Sequence, residues 1–189
     1  MKKYISIIIA IVLVLSITTI NISAANDLEV QKGNADALVK LRILKGYEDG
    51  SLRLENKIRR SEFITLVIKL MGYDKDSDIE NVKITFKDIG KKHWAYNNIK
   101  LSIKYNLVAG YPDSTIAPNK DVTYAEAVAV VIRALGYENT LQGNWPDNVV
   151  SKAAELKLNN NLDLTADHQL TRGEMSVIIF NALTVKFNK

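Results

Sequence analysis

The chain has 189 residues, of which 47% are hydrophobic and 24% charged, a composition typical of a compact globular domain rather than a disordered segment or a fibre. It contains no cysteine, which excludes disulfides, thiolate nucleophiles and cysteine-based metal sites. The formal net charge is +4, and leaving out Lys2 and Lys3 lowers it to +2, so nucleic acid is not indicated as a partner.

The N-terminal segment has the pattern of an export signal. Lys2 and Lys3 precede an almost unbroken apolar run over residues 4–20, and small residues follow at Ser23 and Ala25. This order is typical of a secretory signal peptide with cleavage after Ala25, which would leave no stable membrane insertion. The alternative is an uncleaved membrane anchor, although the run is slightly shorter than the roughly 20 residues that span a bilayer. Both interpretations predict export of the remaining chain.

The first predicted helix begins at Asn34, after a polar lead-in at residues 26–33, and stops at Gly46. Its apolar face comprises Ala37, Leu38, Leu41 and Leu44. Residues 51–57 then predict a loop that leads to a second helix. The first unit therefore has the order helix, loop, helix.

One short motif introduces three helices along the chain. In its second copy, Thr123 stands at the N-cap and Glu126 three residues later, so that hydroxyl and carboxylate can each satisfy an amide of the first turn. The equivalent pairs are Arg59 with Glu62 and Thr171 with Glu174. We interpret the three glutamates as capping residues, with Arg59 standing where the other copies have threonine.

Apolar residues recur behind each motif at the spacing of one buried helical face. They are Phe63, Leu66, Val67, Leu70 and Met71 in the first copy, Ala127, Val130, Val131, Ala134 and Leu135 in the second, and Met175, Ile178, Ile179, Ala182 and Leu183 in the third. Further apolar pairs, Ile64 with Ile68 and Val128 with Ile132, add a second face, and a helix that is apolar over much of its circumference belongs inside. The pattern predicts an all-α protein with a central bundle of the three motif helices.

Metal binding is not indicated. The charged insertion at residues 74–84 spaces three aspartates at alternate positions, as in an EF-hand calcium loop, but Ile79 stands where that loop needs glycine and Thr85 where it needs glutamate. His93 and His168 are too few to complete a metal site. We interpret the insertion as a solvated loop, and the sequence predicts no cofactor.

Two tryptophans open the later units. Trp94 starts the second unit, where it is either a core aromatic or a platform for a sugar ring, and Trp145 starts the third. The third unit departs from the pattern at Asn159–Asn161, which replaces a glycine-tyrosine turn. Asparagine tolerates the left-handed conformation that glycine supplies elsewhere.

The first helical position of the motif carries Arg60 in the first copy, Tyr124 in the second and Arg172 in the third. The positive end of a helix dipole disfavours a cation at this place. Such an arginine either forms an anion site with the amides of the first turn, or pairs with a nearby carboxylate and stabilises the fold by less than about 1 kcal/mol. The residues alone leave both interpretations open.

Taken together, the motifs resemble the S-layer homology family, whose repeats carry a signature close to Ile-Thr-Arg-Ala-Glu at the start of a core helix. Supporting motifs are Gly46-Tyr47-Glu48-Asp49-Gly50, Gly110-Tyr111-Pro112-Asp113 and Phe86-Lys87-Asp88-Ile89. The resemblance covers nearly everything after the N-terminal segment. It implies three helix-loop-helix repeats around a pseudo-threefold axis, with repeats at 26–73, 85–137 and 145–189 and a linker at 138–144.

The resemblance also implies a function. Proteins of this family look like secreted, non-covalent anchors that bind secondary cell wall polysaccharide, often pyruvylated, in grooves between repeats. Arg60 and Arg172 match the arginine that meets the acidic sugar substituent, and Gly46 and Gly110 match turn glycines whose missing side chain would let ligand and backbone approach. Tyr124, at the arginine position, would hold sugar by stacking and hydroxyl contact or leave its groove without a ligand. Trp94 completes the set of candidate glycan contacts.

Two competing classes remain at this point. An enzyme is not indicated, because no carboxylate pair, nucleophile elbow or phosphate loop is marked out by its context. A structural component of the envelope or S-layer, which binds other proteins rather than glycan, is the alternative. The sequence therefore predicts a non-catalytic protein associated with the cell wall.

Overall fold

The structure is a computed structural model that describes residues 27–188. Six α-helices occur in this range: α1 (27–40), α2 (Arg60–Leu70), α3 (Tyr96–Lys104), α4 (Tyr124–Ala134), α5 (Asp147–Glu155) and α6 (Arg172–Ala182). Short 3₁₀ helices cover Tyr73–Lys75 and Glu138–Thr140, and residues 27–188 contain no extended strand, so the predicted all-α class is confirmed. The predicted signal peptide at 1–25 lies outside these residues. Over the described range no helix combines the length and the apolar character that a membrane span needs.

Helix α1 differs from its prediction at both ends. It already includes residues 27–33, which were expected to be a lead-in, because this part packs on α6, where the Ser176 hydroxyl donates a hydrogen bond to the Gln31 carbonyl at 3.0 Å. The helix ends at residue 40 rather than at Gly46, since Arg42 takes the left-handed conformation with a φ of 61°. A tertiary contact and a non-glycine stop have thus overridden the local signals.

The three motif helices α2, α4 and α6 contact one another and form the centre of the core. The residues of the second apolar face, including Ile64, Ile68, Val128 and Ile132, are fully buried. The outer helices α3 and α5 pack on α2 and α4 respectively. Two apolar faces per motif helix therefore correspond to two packed sides, as the sequence predicted.

A closed ring of backbone hydrogen bonds joins the segments that precede the motif helices. The Ile58 amide donates to the Leu170 carbonyl, the Leu170 amide to the Val122 carbonyl, and the Val122 amide to the Ile58 carbonyl, each at 3.0 Å. Each member of the ring comes from a different motif copy, so no copy can be removed without opening it. A pseudo-threefold axis would produce such a ring, and that axis, like the repeat boundaries, stays a prediction.

Candidate functional site

The N-termini of the motif helices are closed by protein atoms. The amides of Arg60, Tyr124 and Arg172 each donate at 2.8 Å to a carbonyl of another repeat's loop, and the next amide of each helix also donates to such a carbonyl. The acceptors are Lys120, His168 and Asn56 for the first set, and Pro118, Ala166 and Leu54 for the second. An anion near these helices would therefore meet side chains rather than first-turn amides.

The third amide of each motif helix is where the capping boxes act. In α6, Thr171 Oγ1 accepts from the Glu174 amide at 3.1 Å, and Glu174 Oε2 accepts from the Thr171 amide at 2.7 Å. The box of α4 has the same two hydrogen bonds. In α2, Glu62 Oε2 accepts from the Arg59 amide at 2.9 Å, but the arginine side chain offers no acceptor in return. The first motif therefore forms only one of the two hydrogen bonds of a capping box, as its sequence indicated.

Arg172 is held by the first repeat. Its Nε donates to the Leu52 carbonyl at 2.8 Å, one Nη donates to the Lys45 carbonyl at 3.2 Å, and the other lies 3.7 Å from Glu62 Oε1. The guanidinium also lies 5.0 Å from the centre of the Tyr47 ring. All three nitrogens thus have partners, which favours the structural one of the two interpretations for this arginine.

Arg60 occupies the equivalent position in the first motif but has fewer partners. One Nη lies 3.7 Å from Glu126 Oε2, and the guanidinium lies 5.2 Å from the centre of the Tyr111 ring. No acceptor for its buried Nε exists among residues 27–188. A guanidinium with unused donors is the group that an acidic ligand requires.

Glu126 sits at the centre of a charged cluster around Arg60. It accepts a hydrogen bond from the Tyr111 hydroxyl and lies 3.6 Å from Lys120 Nζ. Burial acts to raise the pKa of Glu126, but the hydrogen bonds from Tyr111 and the Thr123 amide, with the charges of Arg60 and Lys120, hold that pKa below its usual value. Burial and the bond to Glu126 raise the pKa of Tyr111. The carboxylate is therefore ionised at neutral pH and satisfied by its neighbours.

A cavity of about 260 Å³ opens beside this cluster, and we call it groove A. Its walls are Arg60, Ala109, Gly110, Tyr111, Glu126, Ala129, Arg133 and Trp145. Trp145 is 56% exposed, which leaves an indole face open to a ligand. Arg133 adds a second guanidinium, whose Nε is 2.7 Å from Glu138 Oε1. Trp145 and Arg133 line this cavity but were not among the candidates predicted from the sequence, although Trp145 opens its repeat as Trp94 does.

A second cavity, of about 360 Å³, lies at the corresponding place on α2, and we call it groove B. It is lined by Tyr47, Asn56, Lys57, Arg59, Glu62 and Trp94. Trp94 is 60% exposed and stacks only loosely on His93, with 5.8 Å between ring centres. It is therefore not a core aromatic, and its exposed face is free for a platform role.

The two candidate glycines are required by the fold. Gly110 has a φ of 74°, and a Cβ there would meet the Thr115 carbonyl at 2.9 Å and the Phe86 ring more closely still. A Cβ on Gly46 would lie 3.0 Å from the Ser51 carbonyl. Of the two, only Gly110 lines groove A or groove B.

Tyr124 lies inside the protein. Only 2% of it is exposed, and its hydroxyl has no hydrogen-bond partner among the described residues. The ring therefore presents no face on which a sugar could stack.

The third capping glutamate has a different partner from the second. His168 Nε2 lies 3.0 Å from Glu174 Oε1, whereas Glu126 has Lys120 as its neighbour.

The aspartates of the insertion are engaged by basic and hydroxyl groups. Asp76 Oδ2 lies 2.8 Å from Lys104 Nζ and accepts from the Tyr105 hydroxyl at 2.7 Å, and Lys104 also reaches Asp78. These bonds, with one from the Asp78 amide, lower the pKa of Asp76 to about 2. In the part of the chain that the structure describes, no group of three acidic or histidine side chains is arranged as metal ligands.

A family model described as "S-layer homology domain" matches residues 85–128. The chain is 31% identical to the middle cell wall protein of Brevibacillus brevis over 98% of its own length and 18% of that protein. It is 30% identical to a cell surface protein of Thermoanaerobacter kivui over 100% of its own length and 25% of that protein. A cellulosome-anchoring protein of Acetivibrio thermocellus is 44% identical over 49% of the chain and 21% of that protein. The chain thus spans a quarter or less of each relative.

Proposed function

Because the chain belongs to the S-layer homology family, we propose that it is a non-catalytic anchoring module of the cell surface that binds an acidic secondary cell wall polysaccharide non-covalently in groove A. Pyruvylated polymer is the expected ligand. Relatives named as cell wall, cell surface and cellulosome-anchoring proteins support the anchoring role. The predicted signal peptide agrees with a cell wall or S-layer location, where other envelope proteins are further partners.

The observation that carries the proposal is that the Arg60 guanidinium lies at groove A and has few protein partners. It forms part of the wall of groove A, its Nε has no acceptor within residues 27–188, and its nearest carboxylate is 3.7 Å away and already satisfied by other groups. A carboxylate on a sugar in groove A could accept a charge-assisted hydrogen bond from the Nη groups of this guanidinium, which has few protein partners. Arg172 lacks this spare capacity because two carbonyls already accept from it.

Groove A also offers the apolar surface that a sugar ring needs. The exposed indole of Trp145 lines the cavity together with Ala109 and Ala129. Gly110 also lines it and, having no side chain, leaves the cavity wide at that place. Aromatic faces bury the C–H surface of a sugar while polar groups at the rim fix its orientation. An acidic sugar would therefore be held at its carboxylate by Arg60 and at its ring by Trp145.

The direct test is a titration of residues 26–189 with pyruvylated wall polysaccharide released from purified sacculi, and with the same polymer after mild-acid removal of its pyruvate ketals. Loss of one charge-assisted contact costs roughly 1.5–3 kcal/mol, so Arg60→Ala should weaken binding about ten- to a hundredfold. Arg60→Lys keeps the charge but loses the paired donors, and should recover only part of the affinity.

Lys75→Ala is the matched control, since this side chain is 85% exposed and lies outside both grooves. It should bind like the wild type. The proposal fails if the ketals make no difference, or if Arg60→Ala and Lys75→Ala bind equally well. Self-assembly of the wild type without binding to either polymer would favour the structural alternative.

A further inference from the structure

We propose that the C-terminal segment 184–188, which we call the strap, positions the part of the wall of groove A that Trp145 forms. The strap does not line groove A itself. It acts through residues 138–145, the connection that leads from α4 to Trp145. The effect on ligand binding rests on the proposed function, whereas the effect on Trp145 can be measured without a ligand.

The strap is bonded to the turn that ends α4. The Asn188 amide donates to the Leu135 carbonyl at 2.9 Å, and Asn188 Nδ2 donates to the Gly136 carbonyl at 3.0 Å. The Tyr137 hydroxyl donates to the Lys186 carbonyl at 2.9 Å. Three consecutive residues of the turn therefore have a hydrogen-bond partner in the strap, which belongs to a distant part of the chain.

Gly136 shows that the strap lies directly on this turn. Its φ is 83°, and a Cβ there would collide with the Asn188 carbonyl oxygen and lie 3.2 Å from the carbonyl carbon. Gly72 follows the first motif helix in the same left-handed conformation, with a φ of 70°, but a Cβ there would meet no other atom of the described residues within 4 Å. The two glycines therefore meet the same backbone requirement, but Gly136 is also covered by the strap.

Hydrogen bonds within the connection carry this restraint toward groove A. The Thr140 amide and hydroxyl both donate to the Tyr137 carbonyl, at 3.0 and 2.7 Å. The Leu141 amide donates to the Glu138 carbonyl at 3.1 Å. Glu138 Oε1 lies 2.7 Å from the Nε of Arg133, which lines the groove. The turn that the strap holds is thus joined to the groove wall by consecutive bonded residues.

Trp145 is the residue on which this restraint acts. The chain reaches it four residues after Leu141, and its side chain is 56% exposed. An exposed side chain that is already held in place loses less conformational freedom when a ligand binds, so its contact contributes more to affinity. A released strap would leave Trp145 in the groove but less ordered.

Gly136→Ala and Gly72→Ala form a matched pair of variants, because both place a Cβ on a left-handed residue and only the first must displace the strap. The readout is quenching of Trp145 fluorescence by acrylamide, measured in a Trp94→Phe background so that one of the two tryptophans remains. Gly136→Ala should raise the quenching constant, and Gly72→Ala should leave it unchanged. Tm should fall in both variants, so a general loss of stability does not separate them.

Two further variants remove bonds of the strap without adding a Cβ. Deletion of residues 186–189 should reproduce the rise in quenching. Tyr137→Phe loses one hydroxyl bond to the strap and should show a smaller rise, which decides the matter if the deletion variant does not fold. With the pyruvylated polymer, Gly136→Ala should bind about two- to tenfold more weakly than Gly72→Ala, because Trp145 must then be ordered on binding.

Equal quenching constants in Gly136→Ala, Tyr137→Phe and the wild type would overturn the inference. A raised quenching constant with the affinity of Gly72→Ala would overturn the effect on binding. Absence of polymer binding by the wild type would overturn the proposed function, whereas a raised quenching constant in Gly136→Ala would still support the action of the strap on Trp145.

Discussion

Replacing Arg172 with alanine tests whether this arginine holds the fold rather than the ligand. The change removes hydrogen bonds of 2.8 and 3.2 Å to the carbonyls of Leu52 and Lys45, and the partner of Glu62 at 3.7 Å. A hydrogen bond from a charged group contributes roughly 1.5–3 kcal/mol. Because the second bond is long and Glu62 keeps access to water, we expect a loss of about 2–4 kcal/mol in the free energy of unfolding. At about 2–4 °C per kcal/mol, Tm should fall by roughly 5–15 °C.

Urea denaturation followed by circular dichroism measures this loss as a shift of the midpoint at constant slope. Arg172→Lys should recover part of it, because an ammonium can still reach one carbonyl. Arg60→Ala is the matched comparison, since it removes the same motif residue without removing a carbonyl partner, and it should shift the midpoint less. The argument is refuted if Arg172→Ala unfolds like the wild type but loses affinity for the pyruvylated polymer. That result would make Arg172 a ligand contact.

Three further predictions concern the fold. Gly110→Ala should lower the free energy of unfolding by at least about 1 kcal/mol, seen as a lower urea midpoint, because it places a Cβ on a left-handed residue against the Thr115 carbonyl. An unchanged midpoint would mean that the turn relaxes freely. Asp76 has a folded pKa of about 2 against an ordinary value of 3.8, so its contribution is present above pH 3.8 and is lost as pH falls toward 2. Urea midpoints should fall further between pH 6 and pH 2 in the wild type than in Asp76→Asn, because other carboxylates with a lowered pKa, such as Glu126, titrate in both proteins. Truncation after Asn144 removes α5, α6 and one member of the hydrogen-bonded ring, and should give an aggregated or molten product by near-UV dichroism, whereas cooperative melting would show independent units.

The features that could be predicted from the sequence depend on residues close together in the chain. Thr123 and Glu126 are three residues apart, and their two reciprocal hydrogen bonds form within one turn. The buried faces of α2, α4 and α6 follow in the same way from the helical period. Both signals are local, so the all-α class and the position of the central helices could be read without knowledge of the fold.

Which of the two arginines has hydrogen-bond acceptors for its side chain could not be predicted, because the partners come from other repeats. Arg172 meets the carbonyls of Lys45 and Leu52 near the start of the chain, and Arg60 meets Tyr111 and Glu126 of the second repeat. The two residues occupy the same motif position and have the same chemistry. Whether a given Nε finds an acceptor is decided by the path of a distant loop, which the motif does not encode.

The loop of the third unit that corresponds in sequence to the Gly110 turn differs from that turn at the residue after the left-handed one. Asn161 has a φ of 66°, as Gly110 has 74°, so the turn keeps its left-handed residue, but the next residue is Leu162 where the second repeat has Tyr111. An arginine as buried as Tyr124 would need an aromatic face and a counter-charge of the kind that Arg60 has in Tyr111 and Glu126. A tyrosine fills that space with its own ring and leaves one hydroxyl unpaired, which costs less than an uncompensated charge. The motif position is therefore buried in all three copies, and under the proposed function it contacts a ligand only where the guanidinium keeps an unpaired donor, as that of Arg60 does.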